Sequence, residues 1–189
     1  MEFEIKIIEF LQANASVTWI RVFSILTMLG GVLGAVIASI LVWKRSKGMA
    51  VVLFVTFLCA SLINYILKII ISRPRPFEVS NNILNLGNES GYSFPSGHSV
   101  GAGVIVTFLL YALVSSGQGK GTKIAGGIAI CLYPFLIAFT RMVLGVHYLT
   151  DTLAGILVGV AVGLCGIYFY KSLAKKIEVW KREGDSYDE

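Results

Sequence analysis

Five long stretches without a charged residue constrain the fold of this chain more than any other feature. They cover residues 22–43, 49–67, 99–116, 124–140 and 152–170. About 20 apolar residues in a helix cross the ~30 Å hydrocarbon core of a bilayer. Backbone groups in lipid are satisfied only within helices or closed barrels. The sequence therefore predicts an all-α integral membrane bundle of about five spanning helices.

The composition favours a membrane protein over a soluble helical bundle. Apolar residues make up 56% of the chain and charged residues only 14%, whereas a soluble domain carries about 25% charged residues. Too little charged sequence remains to coat a soluble bundle. The net charge of +5 comes from loop lysines and from cations in motifs described below, so we expect no nucleic-acid partner.

We interpret the chain as a single domain in three parts. These are an interfacial helix over residues 1–16, a transmembrane bundle over residues 17–176 and a tail over residues 177–189. The first part is predicted to be amphipathic because Phe3, Ile7 and Phe10 share one helical face, with charged residues off that face.

Lysines and arginines predict the orientation of the bundle. They are concentrated in the loop after the first apolar stretch, in the loop after the third and in the tail. Because such residues mark the cytoplasmic side, we expect a multi-pass protein of the inner (cytoplasmic) membrane with its tail inside. The loop over residues 71–94 and the turn over residues 141–151 then face the extracytoplasmic side.

Three polar clusters interrupt the apolar chain at this predicted outer face. They lie at residues 68–76, 95–98 and 140–151 and contribute Lys68, Arg75, Ser96, Gly97, His98, Arg141, His147 and Asp151. His98 and His147 are the two histidines of the chain. Ionisable residues at such positions in a membrane protein indicate function, so the clusters predict a functional site.

The first two clusters suit an anion. Lys68 and Arg75 lie seven residues apart and would repel each other near a helix end unless an anion lay between them. Ser96 marks the start of a helix, whose free amides form an anion site, and Gly97 allows a ligand to approach the backbone. His98 in the first turn can donate a proton to a leaving group.

The third cluster suits a nucleophile. His147 and Asp151 are four residues apart, which predicts neighbours on one helix face. A carboxylate bonded to one imidazole nitrogen fixes the tautomer and leaves the other nitrogen free to attack. No group of acids suited to a hard metal ion accompanies Asp151, so we expect no metal and no other cofactor. Arg73 is open to two interpretations, a fourth phosphate contact or an anchor at the membrane interface, and we favour the anchor.

Together the clusters resemble the three motifs of the type 2 phosphatidic acid phosphatase (PAP2) superfamily. The first reads Lys68-x6-Arg75-Pro76, the second runs from Pro95 to His98, and the third reads Thr140-Arg141-x5-His147-x3-Asp151. Thr140 stands where the family usually has serine and keeps the hydroxyl. The resemblance is to compact bacterial lipid phosphatases of the cell envelope, which act on undecaprenyl diphosphate or phosphatidylglycerophosphate.

The resemblance implies a metal-independent mechanism. His147 would attack phosphorus to form a phosphohistidine, Asp151 would orient the imidazole, and His98 would exchange protons with the leaving oxygen and with water. The phosphoryl oxygens would be held by Lys68, Arg75, Arg141, Ser96 and Gly97.

Several functions remain open. We favour an outward-facing lipid phosphatase acting on undecaprenyl diphosphate, with phosphatidylglycerophosphate and phosphatidic acid as alternatives. A haloperoxidase-like site that binds vanadate is a second class, against which five spanning segments argue. A non-catalytic anion-binding membrane protein is a third class, and it would not need both histidines. Gly155, Gly159 and Gly163 permit close packing either within the chain or in a homodimer.

Overall fold

The computed structural model describes residues 2–185, and the side chains of residues 2–177. The all-α bundle predicted for the membrane is confirmed. Its helices are α1 (Glu2–Ala13), α2 (Val17–Leu26), a 3₁₀ helix (Thr27–Gly30), α3 (Val32–Trp43), α4 (Lys47–Ile71), α5 (Pro76–Val79), α6 (Gly97–Val114), α7 (Lys120–Val143) and α8 (Leu149–Asp185).

Within residues 2–185, four segments are long and apolar enough to cross a membrane, and a bent pair of helices makes a fifth if it is taken as one span. The four are Lys47–Val79, Gly97–Val114, Lys120–Val143 and Leu149–Ile177. The first of the five predicted spans is bent rather than continuous, since Val17–Gly30 and Val32–Trp43 meet at 57°. The break follows Gly30, where a Cβ would lie only 2.7 Å from the backbone oxygen of His98. Close packing on α6 therefore accompanies the bend.

Helices α6 and α8 pack with their backbones almost in contact. A Cβ on Gly159 of α8 would lie 2.1 Å from the Val100 oxygen and 2.9 Å from the Cα of Gly103, both on α6. Small residues allow this approach within a membrane bundle. The glycines spaced four apart on α8 thus serve packing within the chain, and a homodimer stays a prediction.

All three motifs lie at one end of the bundle. Helices α4 and α7 end there, and α6 and α8 begin there. At the opposite end, Arg45 in the loop after α3 donates a hydrogen bond to the Ser115 oxygen at the end of α6. The lysine-rich loops and the motifs thus lie at opposite ends of the bundle. Which end faces the cytoplasm stays a prediction, and so does the division of a single domain into three parts. Helix α8 continues to Asp185, so the predicted tail over residues 177–189 begins as helix and otherwise lies outside the described residues.

Helix α1 lies over the motif end of the bundle. Ile8 is fully buried in a small core with Ile83, Met142 and Tyr148, whereas Phe3 is 72% exposed. The predicted amphipathic helix is thus present over Glu2–Ala13, and one of its faces packs on protein.

Candidate active site

The first motif is shaped by the end of α4. Ser72 adopts a left-handed conformation with φ of 50° and ends the helix, so Arg75 does not continue the helix that carries Lys68. Arg75 is 2% exposed and donates hydrogen bonds to the backbone oxygens of Gly91 and Val146, at 2.8 and 2.9 Å. Lys68 Nζ donates to the Tyr92 oxygen at 2.5 Å. The two cations are therefore held together by the polar loop between the first two motifs.

The second motif forms the start of α6. The Ser96 side chain caps the helix by accepting a hydrogen bond from the Ser99 amide at 3.4 Å. The Ser96 amide donates to the Asp151 backbone oxygen at 3.0 Å, which joins the second motif to the third. A Cβ on Gly97 would lie 3.2 Å from Asn64 Nδ2. Because the first amides of a helix have no partner within it, this end offers donors to an anion.

The third motif lies on the turn between α7 and α8. Gly145 has φ of 75° and reverses the chain after α7. Helix α8 begins at Leu149, so the expectation that His147 and Asp151 share a helix face is wrong. They are nevertheless neighbours, with 3.5 Å between His147 Nδ1 and Asp151 Oδ2. Nδ1 faces the carboxylate, which leaves Nε2 as the nitrogen that can attack.

Glu89 is an acid of the site that sequence reasoning missed. Its Oε1 accepts a hydrogen bond from Arg141 Nη2 at 2.5 Å, and its Oε2 accepts one from Arg75 Nη2 at 3.3 Å. One carboxylate thus bridges guanidinium groups from two separate motifs. The available signal was an acid in the polar loop, nine residues before His98. Thr27 was also missed and carried no signal; its hydroxyl accepts a hydrogen bond from Arg141 Nη1 at 3.0 Å.

The charges of the site act on the nucleophile and on Glu89. Burial, followed by the charges of Arg141 and Lys68, holds the pKa of His147 well below its usual value of 6.5. The imidazole is therefore neutral at neutral pH, as a nucleophile must be. Burial works to raise the pKa of Glu89, but the charges of Arg141 and Arg75 outweigh it and leave that pKa lowered. The bridging group is therefore an ionised carboxylate.

The structure contradicts the interpretation of Arg73 as an interfacial anchor. Its Nη1 lies 2.5 Å from Asp151 Oδ1, and its Nη2 lies 3.1 Å from Glu4 Oε2. Its guanidinium carbon lies 3.9 Å from the ring centroid of Tyr148, a residue with no exposed surface. Arg73 is thus part of the site. Glu4 also belongs to it, and sequence reasoning missed this acid because it lies in a helix that was expected only at the membrane interface.

Within the described residues, no group of three or more His, Cys, Asp or Glu side chains is placed to hold a metal ion. Independence of metal nevertheless stays a prediction, as does the role of each site residue. The predicted residues do converge: all three motifs meet at one end of the bundle, where α4 and α7 end and α6 and α8 begin, and Glu89, Arg73 and Glu4 join them there.

The motifs lie inside a family match. The model of the PAP2 superfamily matches residues 49–175. The chain belongs to the PAP2 superfamily. The resemblance inferred from the three motifs is thereby confirmed.

Curated PAP2 relatives include bacterial and archaeal proteins. Phosphatidylglycerophosphatase B of Bacillus subtilis (strain 168) is 34% identical over 128 residues, which cover 65% of this chain and 56% of the relative. An undecaprenyl-diphosphatase of Sulfolobus acidocaldarius is 30% identical over 125 residues, which cover 66% of this chain and 56% of the relative. The matched region thus spans little more than half the length of these relatives.

Two solved structures share the fold. The transmembrane PAP2 type phosphatidylglycerolphosphate phosphatase from Bacillus subtilis has a TM-score of 0.72 and 26% identity, covering 93% of this chain and 86% of that one. Aquifex aeolicus LpxE has a TM-score of 0.71 and 22% identity, covering 86% and 93%. The match to LpxE shows the fold alone.

Proposed function

We propose that this PAP2 protein is a lipid phosphatase of the cytoplasmic membrane whose active site faces outward and whose substrate is undecaprenyl diphosphate. The observation that carries the proposal is the convergence of Arg75 and Arg141 on the Glu89 carboxylate. Guanidinium groups bind carboxylate and phosphate oxygens in the same way, so Glu89 marks a ready-made position for a phosphoryl group. The Glu89 carboxylate is close enough to act electrostatically on His98 and His147, so this position lies near both imidazoles.

In the first step, His147 Nε2 attacks phosphorus. A P–N bond forms while the P–O bond to the lipid side breaks, and the electron pair leaves with the oxygen. His98 donates a proton to that oxygen. Asp151, facing Nδ1, stabilises the positive charge that develops on the imidazole. The negative charge on the phosphoryl oxygens is balanced by cations fixed in place before the reaction.

In the second step, water releases the phosphate. His98 accepts a proton from the water as its oxygen attacks phosphorus, and the P–N bond breaks with its electron pair returning to His147. The products are inorganic phosphate and the lipid with one phosphate fewer. Both histidines return to their starting states. The first amides of α6, at Gly97 and His98, can hold a phosphoryl oxygen in both steps, beside the Ser96 cap.

The choice of substrate is supported by the names of relatives. Besides the archaeal protein, undecaprenyl-diphosphatase BcrC of Bacillus subtilis is 28% identical over 109 residues. Phosphatidylglycerophosphate is the second candidate, supported by phosphatidylglycerophosphatase B and by the structural neighbour from the same organism. Both lipids carry a terminal phosphate at the membrane surface, where the motif end of the bundle would meet it. The lysine-rich loops at the opposite end support an outward-facing site.

The test is phosphate release by the purified protein in detergent with a chelator present. The panel contains undecaprenyl diphosphate, phosphatidylglycerophosphate, phosphatidic acid and a soluble phosphate ester. We expect fastest release from undecaprenyl diphosphate, undiminished by the chelator. Faster release from phosphatidylglycerophosphate would contradict the proposed substrate but support the proposed reaction.

The same preparation tests the two other classes of function. Binding of orthovanadate without release from any substrate would support a non-catalytic anion pocket. Halide oxidation with vanadate would support a haloperoxidase-like site.

A further inference from the structure

The N-terminal helix reaches the active site through a chain of charged groups. Glu4 of α1 pairs with Arg73, and Arg73 pairs with Asp151, at 3.1 and 2.5 Å. The side chains of Glu4 and Arg73 are only 12% and 19% exposed, and that of Asp151 has no exposed surface. We call these three residues the Glu4–Arg73–Asp151 chain. It joins an element outside the three motifs to the carboxylate that faces the nucleophile.

Asp151 depends on Arg73 for its charge partner. A fully buried carboxylate is costly unless it is paired and hydrogen-bonded. Its Oδ1 accepts a hydrogen bond from Arg73, and its Oδ2 accepts one from the Tyr148 amide at 2.9 Å. His147 Nδ1, at 3.5 Å, makes no hydrogen bond to it in this state. The orientation of the carboxylate therefore comes from Arg73 and the backbone.

Arg73 is itself fixed from several sides. Its Nη1 also donates to Thr150 Oγ1 at 2.7 Å, and its guanidinium lies on the Tyr148 ring. Glu4 Oε1 accepts hydrogen bonds from the Thr150 amide and hydroxyl, at 2.9 and 2.8 Å. Glu4, Arg73 and Thr150 thus form a closed ring of hydrogen bonds around the first turn of α8. A carboxylate is favoured at a helix N-terminus.

Helix α1 is also tied to the loops around the site at two further points. The Gln12 side chain donates to the Leu84 oxygen at 2.9 Å and accepts from the Leu84 amide at 2.9 Å. The Glu9 carboxylate accepts a hydrogen bond from the Ser80 hydroxyl at 2.8 Å. Together with buried Ile8, these contacts fix the position of α1, and Glu4 is therefore presented to Arg73 by a docked helix rather than by a loose terminus.

We propose that α1 is a positioning element for catalysis: Glu4 holds Arg73 against Asp151, so that the carboxylate stays aimed at His147. Arg73 and Glu4 are positioning residues, and neither contacts the phosphate. The inference rests on the proposed function. A direct phosphate contact by Arg73 is disfavoured by the geometry, because its terminal nitrogens already face two carboxylates, whereas Arg75 and Arg141 converge on Glu89.

The test compares kcat and KM for the wild type, Glu4→Gln, Arg73→Gln and the double variant. Replacing Arg73 should lower kcat by up to about 100-fold, the loss that a misplacement of about 1 Å in a reacting group can cause, with KM little changed. Glu4→Gln should lower kcat by a smaller factor. Because Glu4 acts through Arg73, the double variant should be no slower than Arg73→Gln alone. Glu2→Gln is the matched control, since Glu2 pairs with Lys6 at the exposed start of the same helix.

Two further measurements separate positioning from simple stabilisation. Orthovanadate should still bind to Arg73→Gln, because its phosphate-binding cations are intact, and this binding shows a folded site. Guanidinium ions at millimolar concentration should restore part of the activity of Arg73→Ala, whereas sodium chloride at the same ionic strength should not.

The possible failures are distinct. If the wild type is active and His147→Ala is inactive, but Arg73→Gln keeps its kcat, the positioning role is contradicted and the proposed function stands. Additive losses in the double variant would contradict the action of Glu4 through Arg73. A well-folded wild type without turnover of any lipid phosphate would contradict the proposed function, and the positioning role with it.

Discussion

Glu89 pairs with the two guanidinium groups that are proposed to hold the phosphate. Its carboxylate is 29% exposed, whereas Arg75 and Arg141 are each 2% exposed. Two buried guanidinium groups facing each other without an anion would repel, so the carboxylate stabilises their close approach. An entering phosphate must therefore displace Glu89, which lies on a loop rather than in a helix.

We accordingly predict that Glu89→Gln binds orthovanadate more tightly than the wild type. Removing the competing negative charge should lower the inhibition constant by about tenfold, which corresponds to ~1.4 kcal/mol. The measurement is inhibition of phosphate release from a soluble ester, with Glu2→Gln as a control outside the site. Unchanged or weaker inhibition would mean that Glu89 does not compete with the phosphate.

The lowered pKa of His147 predicts how activity depends on pH. The nucleophile is active when neutral, and burial and the charges of Arg141 and Lys68 hold its pKa below 6.5, so on the acid side activity is lost when the pH falls through that lowered value. The acid limb of kcat/KM, which reports ionisation in the free enzyme, should therefore lie below pH 6.5.

Lys68→Ala should move this acid limb to higher pH. The substitution removes one of the positive charges that lower the pKa of His147, so the imidazole would protonate more readily. Lys6→Ala is the control, because Lys6 is exposed at the start of α1. A wild-type limb at or above pH 6.5, or a shift to lower pH in Lys68→Ala, would contradict the electrostatic description of the site.

At the scale of elements, the contact between α6 and α8 holds the second motif against the third. Gly159→Ala should destabilise the protein by about 1–3 kcal/mol, because the new Cβ would meet a backbone oxygen that cannot move away alone. The matched control is Gly127→Ala on α7, where a Cβ meets open space and helix propensity favours alanine by about 1 kcal/mol. Thermal unfolding in detergent measures both, and equal stability of the two variants would contradict the proposed packing.

An apolar groove between α1, α2 and α7 offers a place for the lipid chain. Its volume is about 290 Å³, and its lining is Phe10, Leu11, Asn14, Ala15, Trp19, Phe23, Phe139 and Val143. Val143 is the last residue of α7, so the groove reaches the motif end of the bundle. Ala15→Trp should fill the groove and lower kcat/KM for the lipid by about tenfold, a loss of ~1.4 kcal/mol, without affecting a soluble ester.

The control for the groove is Val36→Trp, which fills a separate groove lined by Val36, Ser39, Ile40 and Trp43 of α3 and by Phe54 of α4. It should leave lipid turnover unchanged. Equal losses on the lipid and the soluble ester in Ala15→Trp would indicate damage to the site rather than loss of lipid binding.

At the scale of the whole molecule, those features that depend on local sequence were predictable. Apolar length predicted the spans, and the motif residues were identified because charge in an apolar chain is conspicuous. The bend after Gly30 was missed because it depends on contact with α6, which no local pattern reveals. The position of His147 was also missed. Gly145 adopts a left-handed conformation after α7, and this turn places His147 before α8 rather than on it.

The charged residues that pair with the motif residues were missed because their partners are distant in the sequence. Glu4, Arg73 and Glu89 look like ordinary surface or interfacial charges in the sequence. Their partners lie far along the chain, with Glu4 and Arg73 separated by 69 positions and Arg73 and Asp151 by 78. Such pairs exist only after the helices have assembled, so the sequence predicts the groups that would touch the phosphate better than those that hold them in place.

His147 is the proposed nucleophile of a lipid phosphatase. The most direct test of this role is phosphate release from undecaprenyl diphosphate by the wild type and by His147→Ala, with orthovanadate binding measured on both to show an intact site. We predict release by the wild type, none above background by His147→Ala, and vanadate binding by both. Turnover by His147→Ala within about tenfold of the wild type, a difference of no more than ~1.4 kcal/mol in the barrier, would contradict the claim.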